Sequence, residues 1–277
     1  LTESQSAIIG AGGKIFGMAM AQGYSFDLSG RTVLVTGASS GIGRHGALSL
    51  AACGANLVLG ARRVALLAEV RAEIEALGAK AIAVSMDVTD EASTMAAYDA
   101  AEAAFGEVGS VVANAGISGG GNALHVSSDA FDQLVAVNLR GAFLTVREGA
   151  RRMIAAGSAR RGHGRIVIVS SVTAHHVSAG MAAYSATKAA VAQMGRVMAR
   201  DWSVKGINVN VLCPGYIRTE LTEQMWDTPY GENLLGSFPR RRIMSVGALD
   251  PMLLYLCSDA SAEVTGSVFT IDDGQTL

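Results

Sequence analysis

A chain of 277 residues with a formal net charge of -2, 50% hydrophobic and 17% charged, has ample apolar surface for a large core. With a pI of about 6.2 and a mean hydropathy of +0.33, it offers no general attraction for nucleic-acid phosphates or an anionic membrane, which excludes both as principal partners. An α/β chain of this length commonly forms one domain around a single sheet, and part of so apolar a surface is expected to meet other copies in a homo-oligomer.

Residues 1–26 read as an N-terminal extension of unassigned role. Ile8, Ile9, Ile15, Phe16, Met18 and Met20 are interrupted by glycines and Lys14, and Glu3 stands where a secretory signal wants positive charge. The stretch therefore fits neither a membrane span nor a signal peptide. Its glycine run at 10–17 is no phosphate loop, since no strand precedes it and Lys14 lacks a Ser or Thr partner.

From Thr32 onward, short β-branched runs alternate with Ala/Leu-rich stretches, the pattern of strands joined by covering helices. Strands are predicted at 32–35, 56–59, 81–85, 110–113, 165–170, 207–212 and 268–271. Their near-continuous apolar character suits burial on both faces. Helices are predicted at 43–52, 64–77, 91–105, 129–156, 182–204 and 248–258. The fold class that follows is α/β: a Rossmann-like, doubly wound, seven-stranded parallel sheet with helices on both faces, in one domain over 27–277. Such sheets bind ligands beyond the carboxyl ends of their strands. The one long irregular stretch, 214–246, carries Leu221, Met225, Trp226, Tyr230, Leu234, Leu235 and Phe238. It is expected to be a substrate lid or pocket wall, the alternative being a loop docked on a neighbouring subunit.

After the first strand comes Thr36-Gly37-Ala38-Ser39-Ser40-Gly41-Ile42-Gly43. Glycines there allow a tight turn and close backbone approach, and the following helix start attracts a pyrophosphate. The second strand runs into Ala61-Arg62-Arg63, where a ribose-binding carboxylate would mark NAD(H). The small Ala61 leaves room for a 2′-phosphate and Arg62 can grip it, so NADP(H) is expected in preference to NAD(H). The plainer alternative is two solvated arginines at a helix entry.

Ser170 and Ser171 follow the fifth strand; Tyr184 and Lys188, four residues apart, share one face of the next helix. A free tyrosine has a pKa of about 10, and the neighbouring ammonium is expected to lower it. A drop of about three units corresponds to about 4 kcal/mol, to which the positive nicotinamide of an oxidised cofactor would add. Cys53, Cys213 and Cys257 lack CxxC spacing, so no disulfide framework or zinc site is signalled and a reducing cytoplasm is the expected setting. Cys213, beside Pro214, reads as a buried inert thiol.

The TGASSGIG run at 36–43, NAG at 114–116, YSATK at 184–188 and PG at 214–215, in this order, resemble the short-chain dehydrogenase/reductase family over about residues 27–277. The resemblance implies an enzyme that moves a hydride between NADP(H) and a small carbonyl or alcohol substrate, often as a tetramer or dimer. It implies Tyr184 as general acid/base, Lys188 lowering its pKa and holding the nicotinamide ribose, and Ser171 orienting the substrate oxygen. Ser171, not Ser170, lies thirteen residues before Tyr184, as the family pattern asks. Asn138 is assigned to a water relay from Lys188, Asp87 and Val88 to the adenine, and Asn114, Ala115 and Gly116 to the inner face of the cofactor. Pro214, Gly215, Ile217 and Thr219 fall beside the nicotinamide. No metal is implied.

Two departures stand out. Ala113 precedes Asn114 where the family often has asparagine, and Asp272-Asp273-Gly274 replaces a closing Asp-Gly-Gly, which puts the C-terminal packing and the tetramer in question. His175 and His176 read as one pocket-edge and one solvated histidine. Arg147, Arg151, Arg152, Arg160, Arg161 and Arg165 read as a solvated face, or as a dock for an acidic carrier protein. The competing functions are then a carbonyl reductase or alcohol dehydrogenase for an apolar substrate, a 3-oxoacyl-thioester reductase, and a non-catalytic dinucleotide sensor.

Overall fold

The apolar runs pair into one sheet. The computed structural model describes residues 26–119, 121–220 and 222–277, so the expectations for the N-terminal stretch lie outside the described residues, apart from Phe26. The strands are β1 (Thr32–Thr36), β2 (Asn56–Ala61), β3 (Ala81–Ser85), β4 (Val108–Ala113), β5 (Gly164–Val169), β6 (Ile207–Pro214) and β7 (Val268–Ile271). They form a 7-stranded sheet in the order β3-β2-β1-β4-β5-β6-β7, each neighbouring pair parallel. The order reverses between β1 and β4, which opens a crevice at their carboxyl ends. β1, β4 and β5 are buried along their whole length, which is why their sequences do not alternate.

One face of the sheet is covered by α1 (Gly41–Ala52), α2 (Val64–Ala76) and, late in the chain, Asp250–Cys257, through Leu50, Leu67, Ile74 and Leu253. The other carries α3 (Glu91–Phe105), a long interrupted helix over 128–155, and a helix at Ala182–Trp202, through Tyr98, Met153, Val191 and Met198. Asp90 starts α3 by accepting from Ala92 N at 3.0 Å, relieving one orphan N–H of the first turn. Gly149 lets the interrupted helix lie against Tyr98, whose hydroxyl a Cβ would approach to 2.6 Å.

Four expectations need correction. The helix expected over 129–156 is three pieces: α4 (Ser128–Leu134), a π-helical turn (Val135–Gly141) and α5 (Ala142–Ala155). The widened turn carries Asn138, whose side chain bonds to main chain outside the helix. The stretch 214–246 is not irregular throughout, since α8 (Glu223–Trp226) and α9 (Pro229–Ser237) lie within it, the latter capped by Thr228 accepting from Gly231 N at 3.1 Å. Between α5 and these, α6 (Ser158–Arg161) and α7 (Ala182–Trp202) flank β5.

The arginine cluster is largely neutralised within the chain. Arg147 pairs with Glu91; Arg152 meets Asp99, Glu102 and Glu148 at 2.7, 2.7 and 2.8 Å; Arg161 pairs with Glu107 at 2.5 Å. Arg165 is fully buried and donates to the carbonyls of Gly162, Gly164 and Ser258. A carrier-protein dock built on free guanidinium groups has lost most of its charge. The fourth correction concerns the C-terminal segment, which packs closely despite its altered motif. Asp273 adopts the left-handed φ of 54° and pairs with Arg240 at 2.9 Å and Arg242 at 2.6 Å, offsetting the strain that glycine avoids.

Candidate active site

The crevice is stitched together by Asn114. Its Nδ2 donates to Thr36 O at 3.0 Å, while Thr36 Oγ1 accepts from the N–H groups of Asn114 and Ala115 at 3.1 and 3.0 Å. The end of β4 is thereby fixed to the end of β1. Gly37, at φ +67°, would bring a Cβ to 2.9 Å from Ala115 Cα, and a Cβ on Gly43 would lie 2.4 Å from both Asn114 Nδ2 and Gly37 O. Only glycine keeps this turn compact. The start of α1 has no side-chain cap and no acid in its first turn, so its N–H groups and dipole are left for an anion. This glycine cradle and uncapped helix start fit a dinucleotide pyrophosphate.

A cleft of about 560 Å³ opens above the turn, within the size range of cofactor sites. Its walls bring together Gly37, Ser39, Ser40, Gly41 and Ile42 from the turn, Arg62 and Arg63 after β2, and Asp87 and Val88 after β3. Asn114, Ala115 and Gly116 after β4, Tyr184 and Lys188 on α7, and Thr219 after β6 complete it. Gly43, Asn138, Ser171, Pro214, Gly215 and Ile217 do not line this cleft; they stand behind its walls or to one side. Asp87 Oδ1 accepts from Thr89 N and Oγ1 at 2.9 and 2.8 Å, and these bonds hold its carboxyl below the usual range.

The two serines after β5 have separate partners. Ser170 Oγ donates to Lys188 O at 2.7 Å, tying β5 to α7. Ser171 Oγ instead accepts from Thr173 N and Thr173 Oγ1 at 3.2 and 3.1 Å, leaving its own proton to be donated, and it interacts with the Tyr184 hydroxyl. Asn138 is buried and fully engaged: Oδ1 accepts from Ile117 N at 2.8 Å, and Nδ2 donates to Ile117 O at 3.0 Å and Thr187 Oγ1 at 3.2 Å.

The electrostatics differ from the expectation of a lysine-acidified phenol. Lys188 Nζ sits over the Tyr184 ring, 5.6 Å from its centroid, and donates to Val169 O at 3.1 Å. Burial pushes Tyr184 up to about 12, with only the Ser171 hydroxyl acting downward, and Tyr216 and Cys213 adding to the rise. Burial also brings Lys188 down from 10.5 to about 8. Both groups lose water on burial, and that loss outweighs the attraction between them. Cys213 is fully buried and its thiol is raised by burial, in keeping with an inert residue.

Several contributors carried no signal in the sequence. Tyr216 forms a wall with Trp226 and Phe238, at ring centroid distances of 6.2 and 5.5 Å, and its hydroxyl lies 2.9 Å from Ser178 Oγ. Gln275 clasps the Tyr216 main chain, accepting from its N–H at 2.6 Å and donating to its C=O at 3.1 Å. Glu220 and Gln224 line the cleft. His175 and His176 are both exposed and do not line this cleft, as expected for a solvated histidine, and His175 Nε2 lies 3.3 Å from Thr270 Oγ1. Among the described residues no group of His, Cys, Asp or Glu is arranged to hold a metal ion, and no helix is long and apolar enough to cross a membrane.

A 7-stranded parallel sheet of this order with a glycine turn at its switch point defines a dinucleotide-binding α/β protein of the Rossmann class. The short chain dehydrogenase family matches residues 31–229, and the chain belongs to it. Gluconate 5-dehydrogenase of Gluconobacter oxydans is 36% identical over 253 residues, covering 91% of this chain and 97% of that protein. D-threitol dehydrogenase of Mycolicibacterium smegmatis is 33% identical over 266 residues, covering 92% and 96%. The crystal structure of a short-chain type dehydrogenase/reductase from Mycobacterium marinum superposes with a TM-score of 0.85 at 35% identity, covering 91% of this chain and 97% of that one. Membership makes the chain an oxidoreductase that uses a nicotinamide dinucleotide.

Proposed function

We propose that the protein interconverts a secondary alcohol and a ketone on a small polyhydroxylated substrate, a sugar alcohol or sugar acid, with NADP(H) as hydride carrier. The substrate class follows the similar gluconate and threitol dehydrogenases in place of the apolar ketone expected from sequence. The observation that carries the reading is the pair Tyr184 and Lys188, with Lys188 Nζ 5.6 Å from the ring centroid, on the wall of the cleft that the glycine turn floors.

When bound, the dinucleotide supplies or accepts the hydride. Its pyrophosphate would lie on residues 37–43 and its adenosine ribose near Arg62 and Arg63. In the reducing direction Tyr184 gives its proton to the substrate oxygen. Burial raises the phenol, so it is protonated at neutral pH and has a proton to give as general acid. Ser171, held by Thr173, directs its proton at the same oxygen. Lys188, fixed to Val169 O, keeps a positive charge under the phenol ring and would reach the nicotinamide ribose. Asn138 holds Ile117, and as a member of a water relay it would position the water that links Lys188 with solvent. The segment 214–246 would close over the substrate.

The test is NADPH oxidation by the purified protein against a panel of ketoses and keto acids. Turnover is expected only when a carbonyl is present, and Tyr184→Phe should lose at least about 100-fold in kcat while still binding NADPH. An undiminished rate in the phenylalanine variant would remove Tyr184 as proton donor.

A further inference from the structure

One carboxylate at the cleft has no part in the roles above. Glu220, just past β6, reaches across the glycine turn to the end of β2, with its Oε1 and Oε2 at 2.7 and 3.0 Å from Arg63 Nη1. The same guanidinium donates from Nη2 to Ser40 Oγ at 2.6 Å and from Nε to Ser39 Oγ at 3.3 Å. Arg63 and two hydroxyls thus form a seat for an oxyanion, and a carboxylate of the chain itself sits in it. Arg62 lines the same cleft and makes no hydrogen bond among the described residues.

We infer that Glu220 sets the discrimination between the two nicotinamide dinucleotides, by competing with the adenosine 2′-phosphate for Arg63. The inference rests on the reading that a dinucleotide lies here with its adenosine ribose at the end of β2, and not on which dinucleotide is preferred. A 2′-hydroxyl needs no cation, so NAD(H) leaves the pair intact. A 2′-phosphate must share Arg63 with Glu220 or displace it, with Arg62, which feels the charge of Asp87 and makes no hydrogen bond among the described residues, as the second cation. The pair is weak enough to yield: its side chains are 46% and 60% exposed, and exposed pairs contribute little by themselves. A dianionic phosphate with bidentate geometry competes well against one carboxylate, yet loses affinity through having to compete.

Binding of NADPH and NADH, titrated by cofactor fluorescence at fixed low ionic strength, tests this without turnover. The proteins are the parent, Glu220→Gln, Arg63→Met and the double variant; both side chains are exposed, so the fold should persist. Glu220→Gln should tighten NADPH about tenfold and change NADH by less than about twofold. In the Arg63→Met background it should change neither. An equal effect on both nucleotides, an unchanged NADPH affinity, or an effect that survives loss of Arg63 overturns the inference. A parent that prefers NADH but shifts towards NADPH on Glu220→Gln upholds the role of Glu220 and sinks the proposed NADP(H) preference. A parent that prefers NADPH with a ratio unmoved by the substitution does the opposite.

Discussion

Lys188→Met removes the ammonium and keeps most of its apolar stem. Burial lowers that ammonium from 10.5 to about 8. At about 1.4 kcal/mol for each pH unit, this bounds the cost of the charged form to the folded state at about 3 kcal/mol below pH 8. The substitution also deprives Val169 O of its donor at 3.1 Å, which costs about 1–2 kcal/mol. The variant is therefore expected to lose turnover and to be more stable than the parent by about 1–2 kcal/mol at neutral pH. The pH course is the sharper readout. Between about 8 and 10.5 the unfolded parent binds a proton that the folded parent has released, so parental stability rises with pH through that window and the variant lacks this contribution. Tyr184 does not blur the comparison. Its folded pKa is raised to about 12, so its contribution is fully present below about 10 and is lost only as pH rises through 12. Urea unfolding of both proteins from about pH 6 to about pH 10 gives the gap directly. A gap that stays constant over that range refutes the argument that Lys188 is held charged against desolvation.

Gly43→Ala places a Cβ where Asn114 Nδ2 and Gly37 O lie 2.4 Å away. The turn must shift, and NADPH affinity measured by fluorescence titration should fall at least about tenfold. Asn138→Leu leaves the half-buried N–H and C=O of Ile117 without their side-chain partners, so urea unfolding should register a loss of about 1–3 kcal/mol. A change below about 0.5 kcal/mol would show that these bonds carry no net weight.

The strands were legible because a parallel sheet covered on both faces leaves continuous apolar runs, as at 32–35, 110–113 and 207–212. The π-helical turn was not, because nothing local at 135–141 breaks a helix; its cause is Asn138 bonding to Ile117, 21 positions away. The arginine cluster misled for the same reason. Glu91, Asp99 and Glu102 lie on a different helix, and only the packing of α3 against α5 brings them to Arg147 and Arg152. Glu220 meets Arg63 across a separation of 157 residues. Four-residue spacing put Tyr184 and Lys188 on one face, but the balance between attraction and lost hydration depends on depth, which spacing does not encode.

The two walls of the cleft reach completion at different moments of synthesis. Residues 36–43 can close on Asn114 as soon as β4 has been made. Tyr216 must wait for Gln275, 59 positions later, before its main chain is clasped on both sides. A chain clipped just before Gln275 keeps every residue of the nucleotide cleft and leaves Tyr216 unfastened on the substrate side, so damage at the carboxyl terminus should be felt first as slackened selectivity.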